Sequence, residues 1–437
     1  MDTYESLLAA ITPKGGETRE VHDPATGELI GTAPVQTVED LEAAIDKAEA
    51  AQPAWAALSD DERKAYLHRA ADAIDASAEA LAELLSREQG KPLNGPNARF
   101  EVGGCSVWTR TAADTPLPVE GIVDDESGYA EMHYRPIGVV GAISPWDWPM
   151  MSPIGPLAPS LRMGNTVVIK PAETTTLSVL ALVTVMNQVL PEGVLNIVTG
   201  PGRTVGDALT RSPKIGKIMF TGSTPVGKRI IEASAGNVTR LTLELGGNDA
   251  GIVLPDVDPA EIAEGLFWGG FINTGQTCAA LKRLYVHDSV YDEVVKQVRA
   301  ALEEAVVLRL MSDVPLGVFL SGGVDSTAVA ALVTRATGQP VQSFTVGFDL
   351  PPGSKGDMKF NVDARYAALA AKALGAQHHT ITVRQDGSLA DLFPHLIYAM
   401  DEPVVQPAIV QTAYVAALAR LNGVPVLPVP PNQPAPQ

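Results

Sequence analysis

Cysteine is nearly absent from this chain of 437 residues: Cys105 and Cys278 are the only two. Two thiols are too few for a disulfide framework or a thiolate metal site, and their scarcity suits a reducing compartment. Basic residues are also short, with 32 Lys and Arg against 51 Asp and Glu, for a formal charge of −19. That balance argues against nucleic acid or anionic membrane as a partner. No apolar run approaches the roughly eighteen residues that a membrane span needs. The start, Met1-Asp2-Thr3-Tyr4-Glu5, lacks the basic and apolar regions of a signal peptide. The expected location is the cytoplasm.

What is present fits an α/β enzyme, with 46% apolar and 19% charged residues. The length predicts two or three domains. Charge is unevenly spread: from residue 306 onward eight Lys and Arg face nine Asp and Glu, a net of −1, which leaves −18 in the first 305 residues. All five Trp lie in that first part as well. The break near residue 300 predicts two modules of different origin.

Residues 37–55 place Leu41, Ala44, Ile45 and Ala48 on one helical face, behind a Thr37–Asp40 capping-box pattern. Ser59 to Glu62 opens a second helix by the same device, running toward Gly90. Apolar strands at 139–143, 166–169, 194–198, 218–220, 241–245 and 251–254 alternate with helices, one of them at 174–189. That alternation predicts a parallel sheet with helices on both faces. Residues 116–135 read as a hairpin set apart from the sheet. A second strand–loop–helix starts at Gly317, followed by strands at 341–347 and 379–383 and a helix at 364–374. Residues 295–310 read as one amphipathic helix, and the proline-rich residues 427–437 as an extended tail.

Two constellations carry chemistry. Cys105 sits in an unremarkable stretch and reads as a small buried apolar residue. Cys278 follows Asn273-Thr274-Gly275-Gln276-Thr277, a polar loop able to present a thiol to a cleft. Glu244 stands on an apolar strand just before Gly246-Gly247, where a buried carboxylate is costly unless it has a task. A thiolate can add to a carbonyl carbon, and a carboxylate can activate a water molecule. The second constellation is Ser321-Gly322-Gly323-Val324-Asp325-Ser326 after Val318-Phe319-Leu320. It sets a run of backbone N–H groups at a strand-to-helix turn, an anion nest. Without Gly-Lys-Ser/Thr it is not a Walker-type loop.

The first constellation resembles the aldehyde dehydrogenase superfamily. The matching pieces keep the family's order: Ser144-Pro145-Trp146-Asp147-Trp148-Pro149, Val168-Ile169-Lys170-Pro171-Ala172-Glu173, Phe220-Thr221-Gly222-Ser223-Thr224-Pro225-Val226-Gly227, Leu243-Glu244-Leu245-Gly246-Gly247 and Gly275-Gln276-Thr277-Cys278. The resemblance covers residues 1–299. It implies a Rossmann-like NAD-binding sheet domain, Cys278 as nucleophile and Glu244 as general base. It also implies Lys170 and Glu173 on the adenine-side ribose, Gly222 and Ser223 at the pyrophosphate, and Trp146 and Gly227 completing the NAD set. Ribose hydroxyl contacts by Lys170 and Glu173 favour NAD over a 2′-phosphorylated cofactor. One departure stands out: Asp147 occupies the place of an asparagine that helps to hold the oxyanion, and losing such a donor costs about 10²–10³ in rate. Another is that the chain leaves this family near residue 300, before the segments that hold the nicotinamide ribose, line the substrate tunnel and support oligomerisation.

The second constellation resembles the synthetase domain of asparagine synthetases over residues 303–426. Beside the Ser-Gly-Gly loop, the resemblance rests on residues 308–317 and 343–348, His378-His379 and Asp401-Glu402-Pro403. It implies an adenine-nucleotide α-hydrolase-like α/β module binding ATP with Mg²⁺. Ser321, Gly322, Gly323 and Ser326 would hold pyrophosphate, Asp325 would serve the Mg-pyrophosphate, and Val346 would line the adenine pocket. No other metal site is expected, and His378-His379 reads as structural. The family's glutaminase domain and later Ser-Gly loop have no counterpart.

The expected organisation is an NAD-binding domain at 1–246, the start of a catalytic domain at 247–302, a partial ATP-binding domain at 303–426 and the tail at 427–437. Gene fusion, frameshift, misassembly and deliberate joining all fit such a chimera. The leading reading is NAD-dependent oxidation of a small-molecule aldehyde to a carboxylic acid through a Cys thioester. The alternatives are an ATP-dependent asparagine synthetase-type amide ligase and a non-catalytic nucleotide-binding protein.

Overall fold

The computed structural model describes residues 3–308, 310, 315–383 and 408–424. The expected tail at 427–437 and Asp401-Glu402-Pro403 lie outside the described residues. Two units emerge, Met1–Gly251 with Trp268–Leu284, and Ile252–Phe267 with Tyr285–Gln437.

The first unit opens with α1 (Tyr4–Ile11) and an antiparallel pair, β1 (Thr18–His22) and β2 (Leu29–Pro34). Four helices follow: α2 (Val38–Ala57), α3 (Asp60–Ala76), α4 (Ala78–Gln89) and α5 (Ala98–Asp114). Thr37 and Asp40 cap α2 reciprocally, as do Ser59 and Glu62 for α3. Such caps satisfy orphan N–H groups and contribute about 1 kcal/mol each. The single helix expected from Ser59 toward Gly90 is two helices, broken at Ser77. Its φ/ψ of −107°/9° leaves the helical region, and its buried N–H is satisfied by Ala73 and Ile74 carbonyls. The bend lets Leu67, Ile74, Leu81 and Leu85 all enter one core. Gly90 ends α4 with φ +77°, a conformation that glycine adopts without strain.

Next come an exposed antiparallel ribbon, β3 (Glu120–Asp125) and β4 (Gly128–Met132), and then the main sheet. Its strands are β5 (Val139–Ile143), β6 (Thr166–Lys170), β7 (Leu195–Ile197), β8 (Ile215–Gly222) and β9 (Arg240–Leu245), all parallel, in the order β7-β6-β5-β8-β9. The crossovers carry α6 (Met151–Arg162), α7 (Thr176–Met186), α8 (Asp207–Arg211) and α9 (Thr224–Ser234). Alternation along the strands feeds two cores. Val140, Ala142, Val167 and Ile169 enter one, while Val139, Val168, Ile218 and Phe220 enter the other with Leu41, Ile45 and Ala48 of α2. Each Val, Leu, Ile or Phe side chain so buried contributes about 1.5–3 kcal/mol. Gly227 in α9 permits close packing, since a Cβ there would stand 2.8 Å from Leu245 Cδ2. Strand order reverses between β5 and β8, and the crevice at the carboxyl ends there is where open α/β sheets bind ligands.

A sixth strand of this sheet was expected at 251–254. Instead, the polar run Gly246-Gly247-Asn248-Asp249 carries the chain out of the ladder. Strand β10 (Ala250–Val253) then pairs with β11 (Arg283–Val286), with α10 (Pro259–Phe271) between them.

In the second unit, α11 (Tyr291–Leu308) covers the expected joint helix through residue 308. A three-stranded parallel sheet follows, β12 (Gly317–Phe319), β13 (Gln342–Phe348) and β14 (Gln377–Val383) in that order. Its helices are α12 (Val324–Thr337), α13 (Lys355–Phe360), α14 (Val362–Leu374) and α15 (Ala408–Leu421). The core is divided into small clusters around Leu320, Phe344 and Val383.

Candidate functional site

The site is built on the carboxyl ends of β5 and β8. After β5 the chain turns through Trp146, which is exposed, and Asp147, half-buried, into the buried Trp148. The loop of residues 272–278 meets this turn at several points. Asn273 Nδ2 donates to the Asp147 main-chain oxygen and to Gln276 O, both at 2.8 Å, and Trp148 Nε1 donates to Thr277 Oγ1 at 3.0 Å. Asn273, Thr274 and Gly275 have φ of 52°, 56° and 78°, three left-handed residues in succession. Asparagine and glycine tolerate that region, whereas for β-branched Thr274 it is strained, as is common beside functional groups.

Cys278 is exposed at the end of this loop. Local desolvation pushes its thiol above the ordinary value, and the Asp147 carboxylate pushes it further. Backbone N–H groups of Ala279 and Cys278 and the Lys282 ammonium act in the opposite sense. Lys282 Nζ also donates to Cys278 O at 2.8 Å. The structure therefore brings Asp147 and Cys278 together. Asp147 Oδ1 is buried without a hydrogen-bond partner among the described residues, a costly state that a donor on a reacting molecule could relieve.

Glu244 departs from expectation. Its place on an apolar strand predicts a buried carboxylate, but this residue is exposed on β9, opposite Thr221 of β8. Strand β9 is the last of the sheet among the described residues, and nothing among them covers the face that carries Glu244 closely enough to bury it.

The nucleotide candidates lie on the other strand ends. Lys170 is buried at the end of β6, its ammonium donating to Pro171 O at 2.9 Å. Glu173 Oε1 accepts the Gly202 N–H at 2.8 Å. Gly222 ends β8 and Ser223 begins α9 with its side chain exposed; among the described residues it makes no capping bond. The first N–H groups of α9 are thereby left to an external acceptor, a donor set that suits pyrophosphate.

In the second unit Ser321, Gly322 and Gly323 join β12 to α12. Ser326 Oγ accepts the Ser321 N–H at 3.2 Å and lies 2.9 Å from Ser321 Oγ, while the Gly323 N–H donates to Ser321 Oγ at 3.4 Å. Gly322 has φ +78°, and a Cβ would stand 2.4 Å from Asp363 O. Asp325 lies in the first turn of α12. Val346 is half-buried between the Phe344 and Val383 clusters. Ser343 Oγ lies 3.0 Å from His378 Nδ1, and His379 stacks on Phe344 at 5.1 Å.

Several contributors escape sequence reasoning. Gln89, Lys91 and Asn273 all donate to the Asp147 main-chain oxygen. Only Asn273 has a local signal, an asparagine two residues before glycine in a loop. A hollow of about 510 Å³ lies elsewhere, but its Arg87–Glu83 and Arg99–Glu79 charges already pair with each other at 2.7 Å.

Comparison with known proteins places these features in families. Residues 11–343 match the aldehyde dehydrogenase family, and residues 297–427 match asparagine synthase, so the two matches overlap across 297–343. Phenylacetaldehyde dehydrogenase of Pseudomonas fluorescens is 40% identical over 309 residues, which is 68% of this chain and 61% of that protein. An aldehyde dehydrogenase from Brucella melitensis biovar abortus superposes with a TM-score of 0.64 at 35% identity, covering 68% of this chain and 64% of the other. Betaine aldehyde dehydrogenase of Staphylococcus aureus, solved with NAD⁺, gives a TM-score of 0.60 at 29% identity, covering 66% and 58%. The chain thus spans less than two thirds of the length of these proteins. Among the described residues no helix is long and apolar enough to cross a membrane.

Proposed function

The chain belongs to the aldehyde dehydrogenase family, and from that premise we propose that its first module is built for NAD-dependent oxidation of a small-molecule aldehyde through Cys278. The observation that carries this reading is the exposed thiol held against the Asp147 turn, on the same sheet as the uncapped start of α9. Residues 1–246 form the NAD-binding domain in this reading, and 247–302 begin the catalytic domain.

Gly222 and Ser223 hold the pyrophosphate at the α9 N-terminus, Gly227 completes the set by letting α9 pack closely, Trp146 borders the cofactor, and Lys170 and Glu173 take the ribose hydroxyls. When bound, NAD supplies the acceptor for the hydride that leaves the substrate carbon. Cys278 Sγ, as thiolate, forms the C–S bond to the aldehyde carbon, and the carbonyl oxygen takes the negative charge. The exposed Glu244 can reach water, takes its proton and directs hydroxide at the thioester, which releases the acid and regenerates the thiol. Asp147 opposes the first step twice: its carboxylate repels the oxyanion and discourages thiolate formation. Turnover is accordingly slow.

The asparagine synthase match supports a second reading, with residues 303–426 as a partial ATP-binding module. Ser321, Gly322, Gly323 and Ser326 would then hold pyrophosphate, with Mg²⁺ near Asp325 and adenine near Val346.

NADH formation across a panel of aldehydes tests the first reading. Cys278→Ala should abolish it. Asp147→Asn should raise it by up to about 10²–10³ and move the rising limb of its pH profile downward. A silent Asp147→Asn variant would sink the dehydrogenase assignment. ATP–pyrophosphate exchange with aspartate tests the second.

A further inference from the structure

A charge pair close to the thiol loop has no part in the chemistry above. Lys91 Nζ and Glu101 Oε2 meet at 2.5 Å, with side chains 3% and 0% exposed. Burying two ions is costly, and apolar substitutes for such pairs are often as stable, so stability is a weak reason for them. Their remaining bonds run to one turn. Lys91 Nζ donates to the Asp147 main-chain oxygen at 3.2 Å and lies 4.8 Å from the Trp148 ring centre. Glu101 Oε1 accepts the N–H groups of Met150 at 2.7 Å and Met151 at 3.1 Å. The Asp147 oxygen also accepts from Gln89 Nε2 at 2.9 Å and from Asn273 Nδ2 at 2.8 Å. One carbonyl with three donors fixes the turn that Asp147 presents to Cys278.

We propose that Lys91 and Glu101 are a positioning pair for the thiol site: by gripping the Asp147–Met151 turn they set where the Asp147 carboxyl stands relative to Cys278, and so how readily the thiol reacts. Neither residue touches the reacting atoms. The inference rests on the reading of Cys278 as the nucleophile, but not on turnover. The charged groups acting on the thiol are Asp147 and Lys282, and the titratable groups acting on Lys91 are Glu101, Asp147 and Cys105.

A double-mutant cycle on the full chain tests it. Iodoacetamide labelling of the Cys278 peptide is followed by mass spectrometry against pH, which also separates it from buried Cys105. Asp147→Asn should lower the labelling midpoint. In a Lys91→Met/Glu101→Gln background the same substitution should move the midpoint less than half as far. That double replacement leaves no lone buried charge, and the glutamine oxygen can still accept from Met150 and Met151. Should it fail to fold, Lys91→Arg keeps the charge but shifts the donor, and should shrink the effect in the same way. An undiminished shift in a folded background, or no shift in the parent, overturns the proposal. Parent NADH assays run alongside: their failure with an intact cycle removes the dehydrogenase reading and leaves the positioning pair.

Discussion

Both modules end a parallel strand in a glycine loop and begin a helix there, yet the two loops differ in what they leave for a ligand. At Gly222-Ser223 the serine makes no capping bond among the described residues, and β8 behind it is flanked by both β5 and β9. At Ser321-Gly322-Gly323 the hydroxyls of Ser321 and Ser326 already engage the loop's own N–H groups, and β12 has one neighbour, β13, among the described residues. An anion entering the first loop meets waiting donors. At the second it must displace internal bonds worth about 0.5–1.5 kcal/mol each. The same local sequence recipe therefore yields a receptive loop in one place and a self-satisfied one in the other.

The largest expected effect separates the two cores. Trp55 is 2% exposed with Nε1 donating to Leu161 O at 2.9 Å, and Phe344 is 1% exposed. Replacing either with Ala should cost about 3–5 kcal/mol. All five Trp lie in the first unit, so tryptophan fluorescence reports that unit alone. Trp55→Ala should lower the fluorescence melt and Phe344→Ala should leave it unchanged. A shift with Phe344→Ala would show that the units unfold as one.

A smaller effect probes the loops directly. NAD at about 100 times its dissociation constant should stabilise the fluorescence-reported unit by about 2.7 kcal/mol, whereas ATP should not move it. No response to NAD would remove the α9 start as an anion site. Below that comes a pH effect confined to the first unit. Buried Glu88 accepts the N–H groups of Leu177 and Ser178 at 2.7 Å each, and burial pushes its carboxyl up to about 7. With the folded value raised, the stability it contributes is full below the ordinary carboxylate range and is lost as pH rises through about 7. The slope cannot exceed about 1.4 kcal/mol per pH unit. Glu88→Gln should flatten that slope in fluorescence melts between about pH 5 and 8; an unchanged slope would assign it to other groups. The smallest test is a pair of serines. Ser326→Ala should cost the second unit about 1 kcal/mol through its lost loop bonds, read by circular dichroism. Ser223→Ala should stay within about 0.5 kcal/mol. Equal losses would erase the distinction between the loops.

Much of the first sheet was legible because its strands are apolar runs long enough to see, and five of the six expected segments lie in it. The sixth was misplaced because a short apolar stretch does not say which strand it will join; the polar run at 246–249 decided that. Glu244 was misread for a related reason: burial of a strand residue depends on what packs over its face of the sheet, which is a tertiary fact. Lys91 and Glu101 were invisible because charged residues just past a helix end and in a helix's first turn look like surface, and only packing of α5 against the Trp148 turn encloses them. Capping boxes, by contrast, depend on residues three apart, and both appear where their spacing predicts.

The left-handed turn at Asn273-Thr274-Gly275 has a consequence for anyone evolving this site by selection. The loop's shape is held by an amide side chain on main-chain oxygens and by backbone angles, and the Asp147 side chain contributes none of those bonds. A library randomised at position 147 should therefore sample many thiol reactivities on one unchanged backbone. A library at position 273 should return chiefly asparagine, because few other residues combine a left-handed backbone with a donor that reaches both Asp147 and Gln276. The thiol's chemistry is adjustable, whereas the mount that carries it tolerates little variation.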